Sequence, residues 1–257
     1  MNIHPGRLVH FEGTTNFRDL GGYENIHGKT IKWGKIYRSD RLNKLSEEDQ
    51  DMLLALKVNT IVDFRRNDEV KAFPNSLPKE KNINIIHLPV ISGINGIGVI
   101  EDLVNGNSET NLDGTEMMHK ANVFYVCKAR EQFSNFLRLL TDEKNLPLIF
   151  HCAAGKDRTG FAAALLLSAL EIPKKIIIED YLLSNYYRQT HIVKKMNEAA
   201  KKINPELIRP LLEVKKEYLQ AAFNEIMRLY GSVNKFLSNA LGLTANDIQK
   251  LKSNFLE

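Results

Sequence analysis

Short apolar runs alternate along the chain with longer stretches whose apolar residues recur every three or four positions. Residues 58–64 (VNTIVDF), 83–88 (INIIHL) and 148–151 (LIFH) have the length and composition of buried β-strands. Two shorter strand-like pieces, residues 30–33 and 35–37, lie in a region rich in glycine and turn residues. The pattern therefore predicts three buried strands and two shorter strand-like pieces.

The helical stretches begin at recognisable first turns. Ser46 is followed by three acidic residues. This pattern predicts that Ser46 is the N-cap of a helix that runs to about Lys57. A serine hydroxyl at an N-cap accepts from free N–H groups of the first turn, and the helix dipole favours acidic side chains in that turn. Further helices are predicted from Asn67 or Asp68, over residues 116–140, from near Thr159 and, in several segments, after Pro173.

Residues 91–115 differ in composition from their surroundings, because glycines alternate there with asparagine and aspartate. Long loops of this kind are often functional or mobile. We predict a long surface loop or flap over these residues.

Strands that alternate with helices are typical of an α/β layer with a mainly parallel sheet. The predicted fold is therefore α/β, with helices flanking a central, mainly parallel sheet. A helical C-terminal extension over about residues 173–257 is expected to pack on this core. No internal repeat or linker divides the sequence, so we expect a single domain over residues 1–257.

Composition and charge exclude several classes of protein. Hydrophobic residues make up 43% of the chain and charged residues 26%, which is typical of globular proteins and not of disordered ones. No apolar run reaches the roughly 18 residues that a membrane span needs, so stable membrane insertion is not expected. The net charge of +4 suits an anionic substrate but does not indicate a nucleic-acid partner.

Cysteine usage and the N-terminal residues bear on the compartment. Cys127 and Cys152 are too few for a disulfide scaffold and favour a reducing environment. The first residues lack the apolar centre of a signal peptide. We expect a cytoplasmic location, with export without a leader left open.

The informative segment is residues 148–160, LIFHCAAGKDRTG, in which an apolar strand ends at His151 and Cys152 and a helix follows. A strand, a loop of small residues and a helix N-terminus together form an anion site, because successive N–H groups turn inward and the helix dipole adds partial positive charge. The small residues that leave room for an ion are Ala153, Ala154 and Gly155.

Two side chains give this loop its chemistry. Arg158 presents a planar fork to two oxygens of a phosphate-like group. Cys152 lies at the base of the cradle, where a helix N-terminus and a cation can lower a thiol pKa from about 8.5 to about 3.5–7.5. The same donors stabilise a transferring phosphoryl group, so no metal or other cofactor is required.

Two competing motifs fit the segment poorly. A nucleotide-binding P-loop would need glycine where Phe150 stands and serine or threonine where Asp157 stands, although Gly155 and Lys156 match its end. A zinc site is not predicted, because two isolated cysteines and one histidine have no ligand spacing.

The spacing from Cys152 to Arg158, followed by Thr159, resembles that of the cysteine-dependent phosphatases. More narrowly, HCAAGKDRTG resembles the bacterial protein tyrosine phosphatases whose loop carries Gly-Lys-Asp-Arg. Segments that match further family positions are residues 15–23 (TNFRDLGGY), 37–39 (YRS), 62–65 (VDFR), 180–185 (DYLLSN) and 230–232 (YGS). The segment at 91–115 matches no family position.

The resemblance implies the cysteine-phosphatase fold and a two-step mechanism. Cys152 attacks phosphorus and forms a phosphocysteine, which water then hydrolyses. Arg158 and the amides of loop residues 153–158 hold the phosphoryl oxygens. Thr159 is expected to donate a hydrogen bond to the thiolate.

The resemblance also indicates the general acid. Many cysteine phosphatases carry an aspartate on a separate Trp-Pro-Asp loop, and that motif is absent here. In the Gly-Lys-Asp-Arg family the loop aspartate is the leading candidate, which is Asp157. Asp63 is the alternative, since it lies late in a predicted strand, where parallel sheets place their sites.

Lys156 bears on the substrate, because similar Gly-Lys loops occur in phosphoinositide phosphatases. We predict that Lys156 contacts the substrate, and that the substrate is a phosphotyrosine protein, with broader phosphoserine, phosphothreonine or phosphoinositide specificity open. The alternatives are a phosphoinositide phosphatase, a rhodanese-like sulfurtransferase and a non-catalytic phosphate-binding module. The five-residue spacing and Arg158 argue against the second alternative, and the presence of Cys152 against the third.

The remaining polar and reactive side chains are interpreted as structural. Asp63, Arg65 and Glu69 are expected to form ion pairs or caps, and Cys127 to be buried on a helix. His151 is expected to orient the loop by hydrogen bonds. A lid formed by the C-terminal helices, which would protect Cys152 from oxidation, is a further hypothesis.

Overall fold

The structure is a computed structural model that describes residues 4–79, 82–91, 96–105 and 113–257. Within these ranges five strands form one sheet in the order β1-β2-β5-β3-β4. Strand β1 is antiparallel to β2, and the other three pairings are parallel. The predicted mainly parallel sheet is therefore confirmed. The strands are β1 Arg18–Asp19, β2 Ile36–Ser39, β3 Thr60–Asp63, β4 Asn84–His87 and β5 Leu148–His151.

The register of the sheet brings three strand ends to one edge. Ser39 of β2 and Asp63 of β3 both lie opposite His151, the last residue of β5. Ligand sites of open parallel sheets lie outside the carboxyl ends of the strands. The chain segments that follow β2, β3 and β5 therefore meet at the position where a site is expected.

Helices cover both faces of the sheet and continue to residue 255. The α-helices are α1 Glu47–Ala55, α2 Asn67–Ala72, α3 Gly96–Val104, α4 Gly114–Lys128, α5 Arg130–Leu139, α6 Arg158–Ala169, α7 Lys174–Tyr187, α8 Gln189–Ala199, α9 Arg209–Leu212, α10 Lys216–Tyr230, α11 Val233–Lys235 and α12 Ala245–Phe255. Short 3₁₀ segments are Pro5–Arg7, Glu143–Asn145 and Pro205–Leu207, and Phe236–Ala240 is a π-helical segment.

The predicted N-cap of α1 is confirmed. The Ser46 hydroxyl accepts from the Asp49 N–H at 3.2 Å, and the Asp49 carboxylate accepts from the Ser46 N–H at 3.2 Å. The same carboxylate accepts from the N–H groups of Glu12 and Gly13. This capping box both starts the helix and anchors the N-terminal segment beside it.

The single helix predicted over residues 116–140 is wrong, because the structure has two helices there. Helices α4 and α5 are separated at Ala129, whose φ of −110° and ψ of 24° are not helical. The break lets the two helices face different neighbours. Helix α4 packs on α10, while α5 buries Phe133 and Phe136 against Phe64 of the core.

The prediction of a loop over residues 91–115 also needs correction, since α3 lies inside it. Val99, Ile100 and Leu103 recur at helical spacing and pack in a cluster with Ile192 and Met196 of α8. This apolar face explains why a glycine-rich stretch is helical. Residues 92–95 and 106–112 of the predicted flap lie outside the described residues.

The two strand-like pieces before residue 40 are only partly strands. Thr30 and Ile31 make isolated bridges, Ile31 with Leu256 near the C-terminus. The second piece begins one residue later than predicted and extends to Ser39 as β2. Chain pairing with residues 255–257, which local sequence does not reveal, holds residues 30–32 in place.

The core is shared between the sheet and the C-terminal helices. Helix α6 is buried over nearly its whole length, and the same hydrophobic cluster includes Leu219, Phe236 and Phe255 from beyond residue 173. The predicted helical extension is therefore confirmed as part of the packed structure. Among the described helices, none combines the length and the hydropathy that a bilayer crossing requires.

Candidate active site

The loop that joins β5 to α6 has its carbonyl groups turned outward. The Asn16 side-chain amide donates to the carbonyl oxygens of Ala154 at 3.2 Å and of Gly155 at 3.0 Å. The Arg38 guanidinium donates to the Gly155 oxygen at 2.8 Å. Both donors are buried, so the outer side of the loop is fixed by groups shielded from water.

A third donor holds the preceding carbonyl of the loop. The N–H of Arg41, just after β2, donates to the Ala153 carbonyl at 3.3 Å. A trans peptide holds its C=O and N–H on opposite sides, so the amides that follow these carbonyls point inward. In the described part of the chain, no protein group accepts from the amides of residues 153–158. The inner side of the loop thus has free donors, and their binding of an anion stays a prediction.

The turn of the loop depends on Gly155, which has φ of +64°. A Cβ atom there would lie 2.4 Å from the Ser39 carbonyl oxygen and 2.6 Å from the Asp40 nitrogen. Both are backbone atoms at the end of the sheet, so they cannot yield without moving β2.

Gly155→Ala is therefore expected to reduce kcat/KM for a phosphomonoester by roughly 100-fold, since displacements of about 1 Å in a site can have that effect. Gly28→Ala is the matched control, because Gly28 has φ of +76° but a Cβ there meets no described atom within 4 Å. The control carries only a backbone cost of about 1 kcal/mol. Steady-state kinetics and urea unfolding of both variants check this; equal activity of the two variants would contradict it.

Arg158, the first residue of α6, is clamped by a carboxylate. Its two terminal nitrogens donate to the two oxygens of Glu69 at 2.7 and 2.9 Å, and one also donates to the Phe64 carbonyl at 3.2 Å. Burial would lower the pKa of Arg158, but the Glu69 hydrogen bonds and the Cys152 charge raise it. Burial would likewise raise the pKa of Glu69, and Arg158 holds it lowered. The guanidinium is thus permanently charged and oriented from behind.

Cys152 lies in the base of the loop and is 2% exposed. It contributes to the wall of a cavity of about 710 Å³, together with Arg158 and Asp157. The buried hydroxyl of Thr159 has no hydrogen-bond partner among the described residues. The predicted hydrogen bond from Thr159 to the thiolate is therefore not formed in this structure and stays a prediction.

Asp157 and Lys156 form a partly buried ion pair. The Lys156 ammonium lies 2.8 and 3.0 Å from the two Asp157 oxygens and 3.3 Å from the Glu213 carbonyl. Burial lowers the pKa of Lys156, and Asp157 opposes that shift. The lysine side chain is thus occupied by protein groups, whereas the sequence predicted that it contacts the substrate.

Asp63 is held in a different set of contacts behind the loop. Both of its oxygens accept from Arg65, at 2.7 to 3.0 Å, and one lies 3.6 Å from Nε2 of His151. Burial would raise the pKa of Asp63, but His151 and Arg65 lower it. Asp63 does not line the cavity that contains Cys152. The structure thus shows Asp63 and Arg65 as an ion pair and Glu69 as the partner of Arg158, so all three make ion pairs as expected.

His151 is completely buried beneath the loop. Its Nδ1 lies 3.3 Å from the Cys152 carbonyl, which matches the expected orienting role. Burial lowers its pKa to about 4, against the opposing charge of Asp63. The imidazole is therefore neutral at pH 7.

This neutral histidine predicts a loss of stability in mild acid. The pKa of histidine in the unfolded chain is about 6.5. As pH falls from about 6.5 towards 4, the unfolded state therefore binds a proton while the folded state does not, and this favours unfolding. The free energy of unfolding is expected to fall by about 2 to 3 kcal/mol between pH 7 and 4.5 from this group. Urea unfolding of wild type and His151→Gln checks it. An equally steep pH dependence in the variant would contradict the assignment.

A network of buried charges supports the outer side of the loop. Asp180 of α7 accepts from Arg38 at 2.6 Å and from Arg18 at 3.1 Å. Burial alone would raise the pKa of Asp180, but the two arginines hold it well below its usual range. Arg18 also donates to the Asn16 side chain. The segments that sequence resemblance singled out, residues 15–23, 37–39 and 180–185, therefore meet as one scaffold around residues 154–155.

Several residues in the cavity were not identified from the sequence. Arg188, His191 and Lys195 line it from the side of α8. The sequence predicts an ion pair or cap for Glu69 without indicating that its partner is Arg158. The signal for the first three residues was their spacing at i, i+3 and i+7, which puts them on one helix face.

Two further sequence expectations concern sulfur and metals. Cys127 is only partly buried, and its thiol donates to Glu225 at 3.5 Å, so it is not a simple core residue as predicted. Burial and this carboxylate raise its pKa. Across the described ranges, no group of three or more His, Cys, Asp or Glu side chains is arranged to hold a metal ion.

Comparison with known proteins agrees with this geometry. The profile of the tyrosine phosphatase family matches residues 9–257. A protein of Cupriavidus necator that carries the name tyrosine-protein phosphatase is 32% identical over 250 residues, which cover 96% of this chain and 87% of that protein. The triple specificity protein phosphatase PtpB of Mycobacterium tuberculosis is 25% identical over 271 residues, which cover 93% of this chain and 96% of that protein.

A solved structure is also similar. The crystal structure of TpbA from P. aeruginosa aligns over 70% of this chain and 86% of that one, with 16% identity and a TM-score of 0.33. The family profile and the C. necator relative each extend over more than nine-tenths of the sequence. The chain therefore belongs to the tyrosine phosphatase family and is a hydrolase of phosphate monoesters.

Proposed function

We propose that this enzyme dephosphorylates phosphotyrosine through a phosphocysteine formed on Cys152. The observation that carries the proposal is the outward position of the loop carbonyls. Asn16, Arg38 and the Arg41 amide hold the carbonyls of residues 153–155, and this turns the amides of residues 154–156 toward the inner side of the loop. A ring of amides and one guanidinium matches the three equatorial oxygens of a phosphoryl group in transfer.

In the first step the Cys152 thiolate attacks phosphorus in line with the ester oxygen. A P–S bond forms and the P–O bond breaks, and the leaving oxygen takes a proton from an acid. Arg158, oriented by Glu69, donates to phosphoryl oxygens through the N–H groups that Glu69 and Phe64 leave free. In the second step water attacks phosphorus, the P–S bond breaks, and the thiolate returns.

Asp157 is the acid that the geometry favours over Asp63. Asp157 lines the cavity beside Cys152, and its carboxyl is 18% exposed. Asp63 is fully engaged by Arg65 and lies outside the cavity wall. An acid has to come within hydrogen-bond reach of the leaving oxygen, which only Asp157 can do without the loss of a buried ion pair on the far side of the loop.

The contacts of Lys156 support a role through Asp157. A cation at 2.8 Å stabilises the carboxylate that remains after the proton has left. In the second step the same carboxylate takes a proton from the attacking water. We therefore assign Lys156 as a positioning residue for the acid rather than as a direct substrate contact.

Phosphoinositide hydrolysis is the second candidate function. A relative named as a triple specificity phosphatase is similar over nearly the whole chain. The cavity of about 710 Å³ is open and carries cationic residues on one side, which suits substrates with more charge than a single phosphotyrosine. Neither feature requires a lipid, so phosphotyrosine remains the main assignment.

The test is phosphate release in the presence of EDTA from a phosphotyrosine peptide, a phosphoserine peptide and a soluble phosphoinositide. We expect the phosphotyrosine peptide to have the highest kcat/KM and EDTA to leave the rates unchanged. A higher value for the phosphoinositide would favour the second candidate. No phosphate release from any substrate, together with sulfur transfer from thiosulfate, would overturn both in favour of a sulfurtransferase.

A further inference from the structure

One wall of the catalytic cavity carries cations for which the mechanism above has no use. We propose that Arg188, His191 and Lys195, together with Arg41, form a second oxyanion subsite that binds a second phosphate group of the same substrate. The proposal rests on the proposed function, since it concerns what that site accepts. It adds a substrate class, namely phosphomonoesters whose two phosphate groups are close enough to fit in this cavity together.

The placement of these residues follows from helical spacing. Arg188 is the residue between α7 and α8, and His191 and Lys195 follow it on the same face at i+3 and i+7. All three line the cavity that contains Cys152. The neighbouring Lys194 is exposed and does not line the cavity, whereas Lys195 does. Not every basic residue of this helix therefore faces the site.

Arg188 is the strongest single observation. Its side chain is 4% exposed, yet within the described ranges no carboxylate lies within 4.0 Å of it. One terminal nitrogen donates to the Leu212 carbonyl at 2.8 Å. A buried guanidinium without a carboxylate in contact is costly. The charges of Asp40 and Asp157 act on Arg188 only from beyond contact distance, and Arg188 lines the cavity. This is the arrangement of a side chain that acquires its partner from a ligand.

The other residues of this wall, Arg41, Lys195 and the neutral His191, also have donors or charge that the protein does not fully pair. The Arg41 guanidinium lies 4.3 Å from the ring centre of Phe73 and has no carboxylate partner among the described residues. Lys195 contacts Glu198 at 2.8 Å but remains half-exposed. Burial lowers the pKa of His191 to about 4, and the charges of Arg188, Lys195 and Arg41 add to the shift. An anion bound among them would reverse that electrostatic penalty.

The carboxylates that face this wall are already engaged. Asp40 accepts from the Thr15 N–H and hydroxyl and from the Asn16 N–H. Burial raises its pKa, and the charge of Arg188 opposes that shift. Asp157 is paired with Lys156, and Glu69 with Arg158. Glu12 is exposed at the rim. The wall therefore keeps an excess of positive charge.

The number of donors favours a phosphate over a carboxylate. Arg188 has five N–H donors, of which one is used by Leu212, and Arg41 and Lys195 contribute more. A phosphate offers three free oxygens and up to two negative charges, whereas a carboxylate offers two oxygens and one charge. An acidic peptide side chain would leave more of these donors without an acceptor, including donors of the buried Arg188.

The experiment compares matched substrates with one and with two phosphate groups. Two scaffolds distinguish the source of the second phosphate: myo-inositol mono- and bisphosphates, and peptides with one phosphotyrosine or two adjacent ones. For at least one scaffold, wild type is expected to show a KM roughly tenfold or more lower for the bisphosphate, since a charge-assisted hydrogen bond contributes that much. The kcat should differ less than the KM, because the second phosphate does not react.

Variants show which residues cause the lower KM for the bisphosphate. Arg188→Met, and independently the double variant Arg41→Met/Lys195→Met, should reduce the KM ratio to near one, and the double variant keeps the test valid if the first fails to fold. Lys194→Met is the matched control: it removes the same charge from the same helix outside the cavity and should preserve the ratio. An equal loss of the ratio in Lys194→Met would show general attraction of anions and would overturn the subsite.

Direct binding separates this proposal from the proposed function. Calorimetric titration of the Cys152→Ser protein with the mono- and bisphosphates measures affinity without turnover. Tighter binding of the bisphosphate, lost in Arg188→Met on the Cys152→Ser background, supports the subsite even if turnover is absent. Equal affinities on both scaffolds, with turnover of both, would reject the subsite and leave the phosphatase assignment intact.

Discussion

Cys152→Ser is expected to reduce kcat by about 10⁴-fold or more on every phosphomonoester, because the hydroxyl is a far weaker nucleophile than a thiolate at neutral pH. Binding of inorganic phosphate should survive, since the amides of the loop and Arg158 do not depend on the sulfur. Stopped reactions of wild type with a phosphotyrosine peptide should contain a covalently phosphorylated Cys152 detectable by mass spectrometry. The variant should contain none.

Cys127→Ser is the matched control for this prediction. Cys127 lies on α4, partly exposed, with its thiol against Glu225 and outside the wall of the cavity. Its replacement should leave kcat and KM unchanged. If Cys127→Ser lost as much activity as Cys152→Ser, Cys152 would be rejected as the nucleophile. The same holds if Cys152→Ser kept more than about a few per cent of wild-type activity, because removal of a true nucleophile leaves far less.

Asp157→Asn is expected to slow alkyl phosphates by roughly 10²- to 10⁴-fold, which is the range of general acid catalysis. An alkoxide is a poor leaving group and needs the proton, whereas nitrophenolate leaves without it. On p-nitrophenyl phosphate the same variant should therefore lose less than about tenfold. Steady-state kinetics on the two substrates measure the difference directly.

The rate losses of Asp157→Asn on the alkyl phosphate and on p-nitrophenyl phosphate are compared because a distorted loop would not distinguish the two substrates. Asp157→Asn also removes the partner of Lys156, and a distorted loop would slow both substrates alike. Equal slowing would therefore move the acid role elsewhere. Asp63→Asn is the comparison, and a leaving-group dependence in that variant but not in Asp157→Asn would assign the acid to Asp63.

The part of the site that could be predicted from sequence is the part that is contiguous. Residues 148–160 contain the strand, the small-residue loop and the helix start in one segment, so local rules were sufficient to place Cys152, Arg158 and the inward amides together. Strand bounds in this segment agree with the prediction, since β5 is Leu148–His151.

The supporting shell could not be derived in the same way, because its members are far apart in the chain. Glu69 is 89 residues from Arg158, and Asn16 is 139 residues from Gly155. A pair of opposite charges has many candidate partners in a chain with 35 basic and 31 acidic residues. Only the sheet register, which brings the ends of β2, β3 and β5 to one edge, selects among them.

Errors in the predicted elements have the same origin. The break at Ala129 has no proline or glycine to mark it, and it exists because α4 and α5 pack on different neighbours. The glycines of α3 mask its helical pattern in the sequence, and its apolar face is buried by residues of α8 and α9 that lie about 90 to 115 positions later in the chain. In both cases tertiary packing outweighed local preference.

The outward carbonyls of the loop have a consequence for solvent exchange. The amide hydrogens of residues 153–158 have no acceptor within the described protein, although Cys152 is 2% exposed. Protection of a backbone hydrogen from deuterium depends on such acceptors. These six amides should therefore label early in an otherwise slow region and become slow when an oxyanion occupies the loop, so that isotope uptake reports directly on ligand occupancy.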